Sequence, residues 1–129
     1  MKKPYLELIN KAIKNIDNSY SPYSNFKVST ALLGENDKVY TGVNIESSSF
    51  SLTLCAERVA AAKGISKGVR KFKAIAIYTD KNEFVYPCGA CRQFLSEFSD
   101  DMDIILIKSP SKYKILKLKS LLPNSFKLN

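Results

Sequence analysis

Thr53-Leu54-Cys55-Ala56-Glu57-Arg58 and, further along, Tyr86-Pro87-Cys88-Gly89-Ala90-Cys91-Arg92-Gln93 hold every cysteine of the chain. Each run opens a helical pattern, and Phe72-Lys73-Ala74-Ile75-Ala76-Ile77-Tyr78-Thr79 between them reads as a strand. Residues 54–63 have the alanine-rich composition of a buried helix, the hydroxyl-rich run 47–53 before them offers capping groups, and Gly64 is expected to stop it. Pro87 precedes a second helix, from about Cys88 or Gly89 to Phe98. The thiols and Glu57 are thus expected in the opening turns of two helices. Unpaired backbone amides and the positive end of the helix dipole favour thiolate over thiol there.

Working outward, residues 26–33 alternate like a strand, Gly34-Glu35-Asn36-Asp37 reads as a turn, and residues 38–45 read as the returning strand of a hairpin. At its exit Asn44 and Glu46 are two residues apart, so both project from one face of the strand end. Ahead of the hairpin, residues 19–25 are turn-rich. Tyr5, Leu6, Leu8, Ile9, Ala12, Ile13 and Ile16 recur at helical spacing and put one apolar face on a helix from about Pro4 to Asn15. On the other side lie a short apolar strand at 103–107, a last strand at 113–116, and a helical turn at 119–123 closed by Pro123. Strands alternating with helices predict an α/β protein, a three-layer α-β-α sandwich with helices on both faces of a mixed sheet of about five strands.

The length of 129 residues suits a single domain spanning 1–129, and 45% hydrophobic with 25% charged residues is an ordinary globular composition. No apolar run approaches the roughly 20 residues that cross a bilayer, and the opening residues lack the apolar core of a signal peptide. A cytosolic protein with reduced thiols is therefore expected, and three cysteines would leave one unpaired in any disulfide scheme. The net charge of +8 is uneven, because no acidic residue follows Asp103 while Lys108, Lys112, Lys114, Lys117, Lys119 and Lys127 do. That stretch lacks arginine and its aromatics, Tyr113 and Phe126, lie far apart, so a solvated face is the preferred reading over a nucleic-acid track.

Cys88-x-x-Cys91 alone is shared by redox motifs and zinc sites. With Cys55 the inventory becomes restrictive. A closed structural zinc takes four cysteine or histidine ligands, and this chain has three cysteines and no histidine. A catalytic zinc keeps three protein ligands and a water, which fits Cys55, Cys88 and Cys91 without additions. A redox reading gives Cys55 nothing to do. Three thiolates on one zinc leave a net negative shell, so helix N-termini and a cation are needed to offset it. Arg58, in an otherwise apolar helix, is placed to donate to the sulfurs from behind. Glu57, two residues from a ligand, is the candidate proton carrier for a water activated there.

Cys55-Ala56-Glu57-Arg58 followed by Pro87-Cys88-Gly89-Ala90-Cys91-Arg92-Gln93 resembles the signature of the cytidine deaminases that act on free nucleosides. The resemblance extends to Ser21-Pro22-Tyr23-Ser24-Asn25-Phe26, Gly42-Val43-Asn44-Ile45-Glu46 and Leu121-Leu122-Pro123-Asn124-Ser125-Phe126, nearly the whole chain. It implies zinc on Cys55, Cys88 and Cys91, Glu57 as proton shuttle, and hydrolysis of the amino group at C4 of cytidine or deoxycytidine to give uridine or deoxyuridine plus ammonia, a step of pyrimidine salvage. It further implies Asn44 and Glu46 on the ribose hydroxyls, Phe26 packed against the base, and the Ala56 backbone on the base carbonyl. Short members of the family are usually homotetramers with shared active sites, which implies Phe126 reaching a neighbour's pocket. Two departures stand out. Phe50 occupies the place of a usual tyrosine and so lacks its hydroxyl, and Ser47-Ser48-Ser49 replaces a more familiar Asn-Ala.

Three rival readings differ in chemistry. A blasticidin-type aminonucleoside deaminase fits Arg58 and Ala90 less well. Polynucleotide deaminases typically use histidine as first ligand, and there is none. A non-enzymatic zinc module binding RNA or DNA would need a fourth ligand and would show steep salt dependence.

Overall fold

The computed structural model describes residues 2–128. Helix α1 (Lys3–Lys14) leads through a single 3-10 turn at Ile16–Asn18 to strands β1 (Ser29–Gly34) and β2 (Val39–Val43). Helix α2 (Ala56–Ser66), strand β3 (Phe72–Tyr78), helix α3 (Gly89–Ser96), strands β4 (Asp103–Ser109) and β5 (Lys112–Lys117), and the one-turn helix α4 (Leu118–Leu121) follow. The strands form one sheet in the order β2-β1-β3-β4-β5. Only β3 and β4 run parallel, joined by a crossover through α3, and the other neighbours are antiparallel.

Alternation along the central strands divides the core. Leu32, Ile75, Ile77, Ile104 and Leu106 point to one face and pack with Ala60, Ala61, Leu95 and Leu118 of α2, α3 and α4. Ala31, Leu33, Ala74, Ala76, Ile105 and Ile107 point to the other, under Tyr5, Leu8, Ile9 and Ala12 of α1. Three layers and a five-stranded mixed sheet are thus as expected.

The boundaries differ in instructive ways. Gly64 does not stop α2. It lies inside the helix, where a Cβ would stand 2.9 Å from the Phe72 ring, so its smallness serves packing. The helix ends at Ser66 and is closed by Gly68, φ +94°, with Val69 N–H donating to Gly64 C=O (3.0 Å) and Gly68 N–H to Ile65 C=O (2.9 Å), a Schellman cap. Phe26-Lys27-Val28 stay outside β1 because side chains take their backbone groups: Asn44 Nδ2 donates to Phe26 C=O (2.8 Å), Thr79 Oγ1 to Lys27 C=O (2.7 Å), and Val28 N–H donates to Asn44 Oδ1 (3.0 Å). Strand β2 stops at Val43, short of Ile45, which makes an isolated bridge to Leu54. Helix α3 ends at Ser96 rather than Phe98, and α4 begins at Leu118 and ends before Pro123. Leu6, expected on the inner face of α1, is 44% exposed, because the buried stripe runs through Tyr5, Leu8, Ile9 and Ala12.

One polar cluster fastens α1 to the sheet. Tyr5 Oη donates to Asp103, which also receives Lys117 Nζ at 2.8 Å. Partial burial pushes the Asp103 carboxyl up, but Lys117 and the Tyr5 hydroxyl outweigh it and hold it below its ordinary value. Burial, with Asp103, pushes the Tyr5 phenol up to about 12. Tyr5→Phe is expected to cost about 1.5–3 kcal/mol in denaturant unfolding, since the lost bond runs to an ionised acceptor. A depressed Asp103 contributes stability above its unfolded pKa and loses it as pH falls through the folded one. The stability gap between parent and Asp103→Asn should therefore be full near neutrality and close as the solution is acidified.

Candidate active site

The two cysteine runs meet at the N-terminal ends of α2 and α3. Cys55 is the N-cap of α2 and Cys88 the N-cap of α3, both in extended backbone conformation, so these two sit one position before the helices and only Cys91 lies within an opening turn. At an N-cap the side chain stands where a serine or aspartate oxygen would meet the free amides of the first turn. A sulfur there gains the same positive potential. Cys88 is exposed, Cys55 half-buried and Cys91 buried.

All three sulfurs lie within 4.8 Å of one another, and Cys55 Sγ and Cys88 Sγ are 4.0 Å apart. A tetrahedral zinc with Zn–S distances of about 2.3 Å needs sulfurs roughly 3.8 Å apart. A disulfide needs about 2 Å. The spacing thus fits a shared metal ion and not a covalent pair. The Cys91 thiol, against the opposing effect of burial and helped by Arg58, draws Cys55 down to about 5, and the same contact pushes Cys91 up. Arg58 Nη2 donates to Cys55 Sγ at 3.7 Å, while Arg58 Nε is buried with no partner among the described residues. A cation is therefore held against the Cys55 sulfur.

Glu57 is the one carboxylate buried in this region, 4% exposed. Burial pushes its pKa up to about 7, the charge of Cys55 adds to that, and its own backbone amide and the Cys91 thiol oppose it. A carboxyl poised near neutrality can both accept and release a proton. What places it is the sheet beneath. Thr30 Oγ1, fully buried in β1, donates to Ala56 C=O at 2.9 Å. Gly42 in β2 lets the helix sit so low that a Cβ there would stand 2.4 Å from Ala56 O and 2.6 Å from Ala60 N. Neither residue was singled out by sequence as part of the site, although a lone glycine within a strand pattern is a signal of close backbone approach.

Asn44 and Glu46 leave the end of β2 as expected, and both grip the turn-rich segment before β1. Asn44 also accepts from Ser19 Oγ. Glu46 Oε1 accepts from Tyr23 N–H (3.0 Å) and Ser24 N–H (3.1 Å), and Glu46 Oε2 from Ser24 Oγ. The Ser24 hydroxyl holds the Glu46 carboxyl below its ordinary value. Beside Glu46 lies a cleft of ≈ 350 Å³ lined by Tyr23, Ser24, Glu46, Phe50 and Thr53. Phe50, 77% exposed, packs edge-on against Tyr23, whose hydroxyl bonds Ser48 Oγ at 2.6 Å. Phe26 is half-buried next to this segment. Phe126 is 68% exposed and its carbonyl accepts from Gln93 Nε2 at 2.8 Å.

The family model described as the cytidine and deoxycytidylate deaminase zinc-binding region matches residues 2–107. The chain belongs to this deaminase family. A cytidine deaminase of Sporosarcina psychrophila is 43% identical over 93% of this chain and 89% of its own length. One of Mycoplasma genitalium is also 43% identical, over 97% and 98%. The crystal structure of cytidine deaminase from Burkholderia pseudomallei superposes with a TM-score of 0.88 at 35% identity, covering 98% of this chain and all of that one. The deaminase cofactor is zinc, and the three-sulfur cluster supplies a donor set that suits it. Arg58→Gln is expected to loosen zinc by about 10–100-fold in chelator competition, the usual cost of removing a group that orients a metal ligand.

Proposed function

We propose that this deaminase hydrolyses cytidine and deoxycytidine to uridine and deoxyuridine with release of ammonia, with residues 1–129 acting as one catalytic domain. The observation that carries the reading is the buried Glu57 carboxyl beside three sulfurs at metal spacing. Cys55, Cys88 and Cys91 hold the zinc. Bound there, the ion supplies Lewis-acid activation of a water for attack on the amino-bearing carbon. Glu57 takes the proton that water sheds, delivers it to the ring nitrogen N3, and then carries the remaining proton of the added hydroxyl to the amino group, which leaves as ammonia as the C4–N bond breaks and the C4 carbonyl forms. Its burial favours this shuttle, because a carboxyl whose pKa lies near neutrality exchanges a proton in both directions at little cost.

The remaining residues recognise the nucleoside. Asn44 and Glu46 are assigned to the ribose hydroxyls. Because the same two side chains hold the Ser19–Val28 segment, sugar recognition and the position of that segment are set together. Phe26 packs on the base. Ala56 offers its backbone N–H to the base carbonyl, a first-turn amide without an intrahelical partner. Arg58 offsets the sulfur charge.

A homotetramer with shared sites accompanies this reading. Ile45, Phe50, Leu52 and Leu54, within ten residues of sequence, expose 40%, 77%, 67% and 44% of their surface, large apolar side chains that a partner chain would cover. Phe126 is assigned to a neighbour's pocket. Among the described residues no helix is long and apolar enough to cross a membrane, and a cytoplasmic place in pyrimidine salvage completes the proposal. Incubation with cytidine, followed by ultraviolet absorbance and ammonia release, tests the activity. Light scattering after gel filtration tests the assembly, with four chains per particle expected.

A further inference from the structure

We propose that Arg92 is a positioning residue that ties the C-terminal segment to the peptide carrying Cys88, and so sets how firmly the zinc is held. Arg92 lies one residue beyond Cys91 on α3. Its Nε donates to Pro87 C=O at 2.7 Å, while its Nη1 donates to Leu121 C=O at 2.9 Å. Leu121 is the last residue of α4, where a helix leaves carbonyls without intrahelical partners. Pro87 immediately precedes Cys88. The peptide between them is planar, so fixing the direction of the Pro87 carbonyl fixes the Cys88 N–H and the position of the Cα from which its side chain leaves.

Cys88 needs such a brace more than its companions. It is the exposed residue of the three, and the loop that delivers it, residues 79–88, contains no regular element. Cys91, by contrast, is fixed by the body of α3, and Cys55 is bridged to Ile45 through Leu54. The guanidinium places donors on separate nitrogens of one rigid plane, and here Nε and Nη1 hold two carbonyls from different segments at once. Its neighbour Gln93 anchors the same C-terminal segment farther on, at Phe126, without touching the Pro87 peptide. Adjacent residues of α3 therefore hold one tail at two points, and one of them joins it to the metal-binding turn.

The proposal rests on the assignment of Cys88 and Cys91 to zinc, and the experiment separates the two. Full-length protein is loaded with zinc and titrated with a chromogenic chelator, alongside hydrogen exchange at residues 88–91. Arg92→Met is expected to lose zinc about 10-fold more readily than the parent, with faster exchange at the Cys88 turn. Gln93→Met, which frees the tail only at Phe126, is expected to hold zinc like the parent. An Arg92→Met chain that folds and keeps the parent's zinc affinity overturns the proposal. Equal weakening in Gln93→Met also overturns it, since general loosening of the tail would then be the cause. If Arg92→Met does not fold, Arg92→Lys carries the test: its single nitrogen lacks the rigid fork that spans both carbonyls, so weaker zinc binding supports the proposal and the parent's value overturns it. Failure of the parent itself to take up zinc would instead strike the ligand assignment.

Discussion

Replacing Glu57 with glutamine is expected to lower kcat on cytidine by about 10²–10⁴-fold while the chain still binds one zinc. The amide matches the carboxyl in size and fills the same buried place beside Cys55 and Cys91. It cannot pick up a proton from water and return it to the base. Because the sulfurs are untouched, metal content should stay at the parent's level in elemental analysis. A loss of zinc alongside activity would assign Glu57 to holding the metal site together, and an active variant would remove it from proton transfer.

Gly42→Ala carries the second large effect, and it acts through packing. The new methyl would fall 2.4 Å from the Ala56 carbonyl and 2.6 Å from the Ala60 amide, both backbone atoms of α2 that no rotamer change can move. The helix must shift bodily away from the sheet, which is expected to destabilise the fold by about 3 kcal/mol, at the upper end of overpacking costs. The shift also carries Cys55, Glu57 and Arg58 with it, and pulls Ala56 C=O from the Thr30 hydroxyl. Thermal unfolding and kcat should therefore fall together. Retention of the parent's melting temperature and kcat would contradict the tight seat described for α2.

The chemistry was legible in sequence to a greater extent than the shape. Cys55, Glu57 and Arg58 lie within one turn, and Cys88 and Cys91 within another, so their residue types and spacing expose the donor set without knowledge of the fold. The layer order also followed from local periodicity. Properties that depend on contacts between distant segments did not. A glycine that makes room for the Phe72 ring and one that caps a helix look alike in sequence, so Gly64 reads there as the stop that Gly68 provides. Phe26-Lys27-Val28 alternate as a strand should, yet Asn44 and Thr79 reach across to bind their backbone first. The period of a strand puts Asn44 and Glu46 on one side of the β2 exit, while the hold of Glu46 on Tyr23 and Ser24, and of Asn44 on Ser19, Phe26 and Val28, lies beyond any local pattern.

The basic C-terminal third has an ordinary structural explanation. Lys117 pairs with Asp103, and Lys108 and Lys114 stand over the Phe84 ring at 4.8 and 4.5 Å. Strand β5 is an edge of the sheet, where exposed lysines discourage pairing with another chain.

The central claim joins a metal to a reaction, and one sample tests both. Purified protein is divided between elemental analysis and incubation with cytidine or deoxycytidine, with ultraviolet absorbance followed over time. One zinc per chain and a fall in absorbance with release of ammonia are predicted. One zinc per chain with no change on either nucleoside would contradict the account.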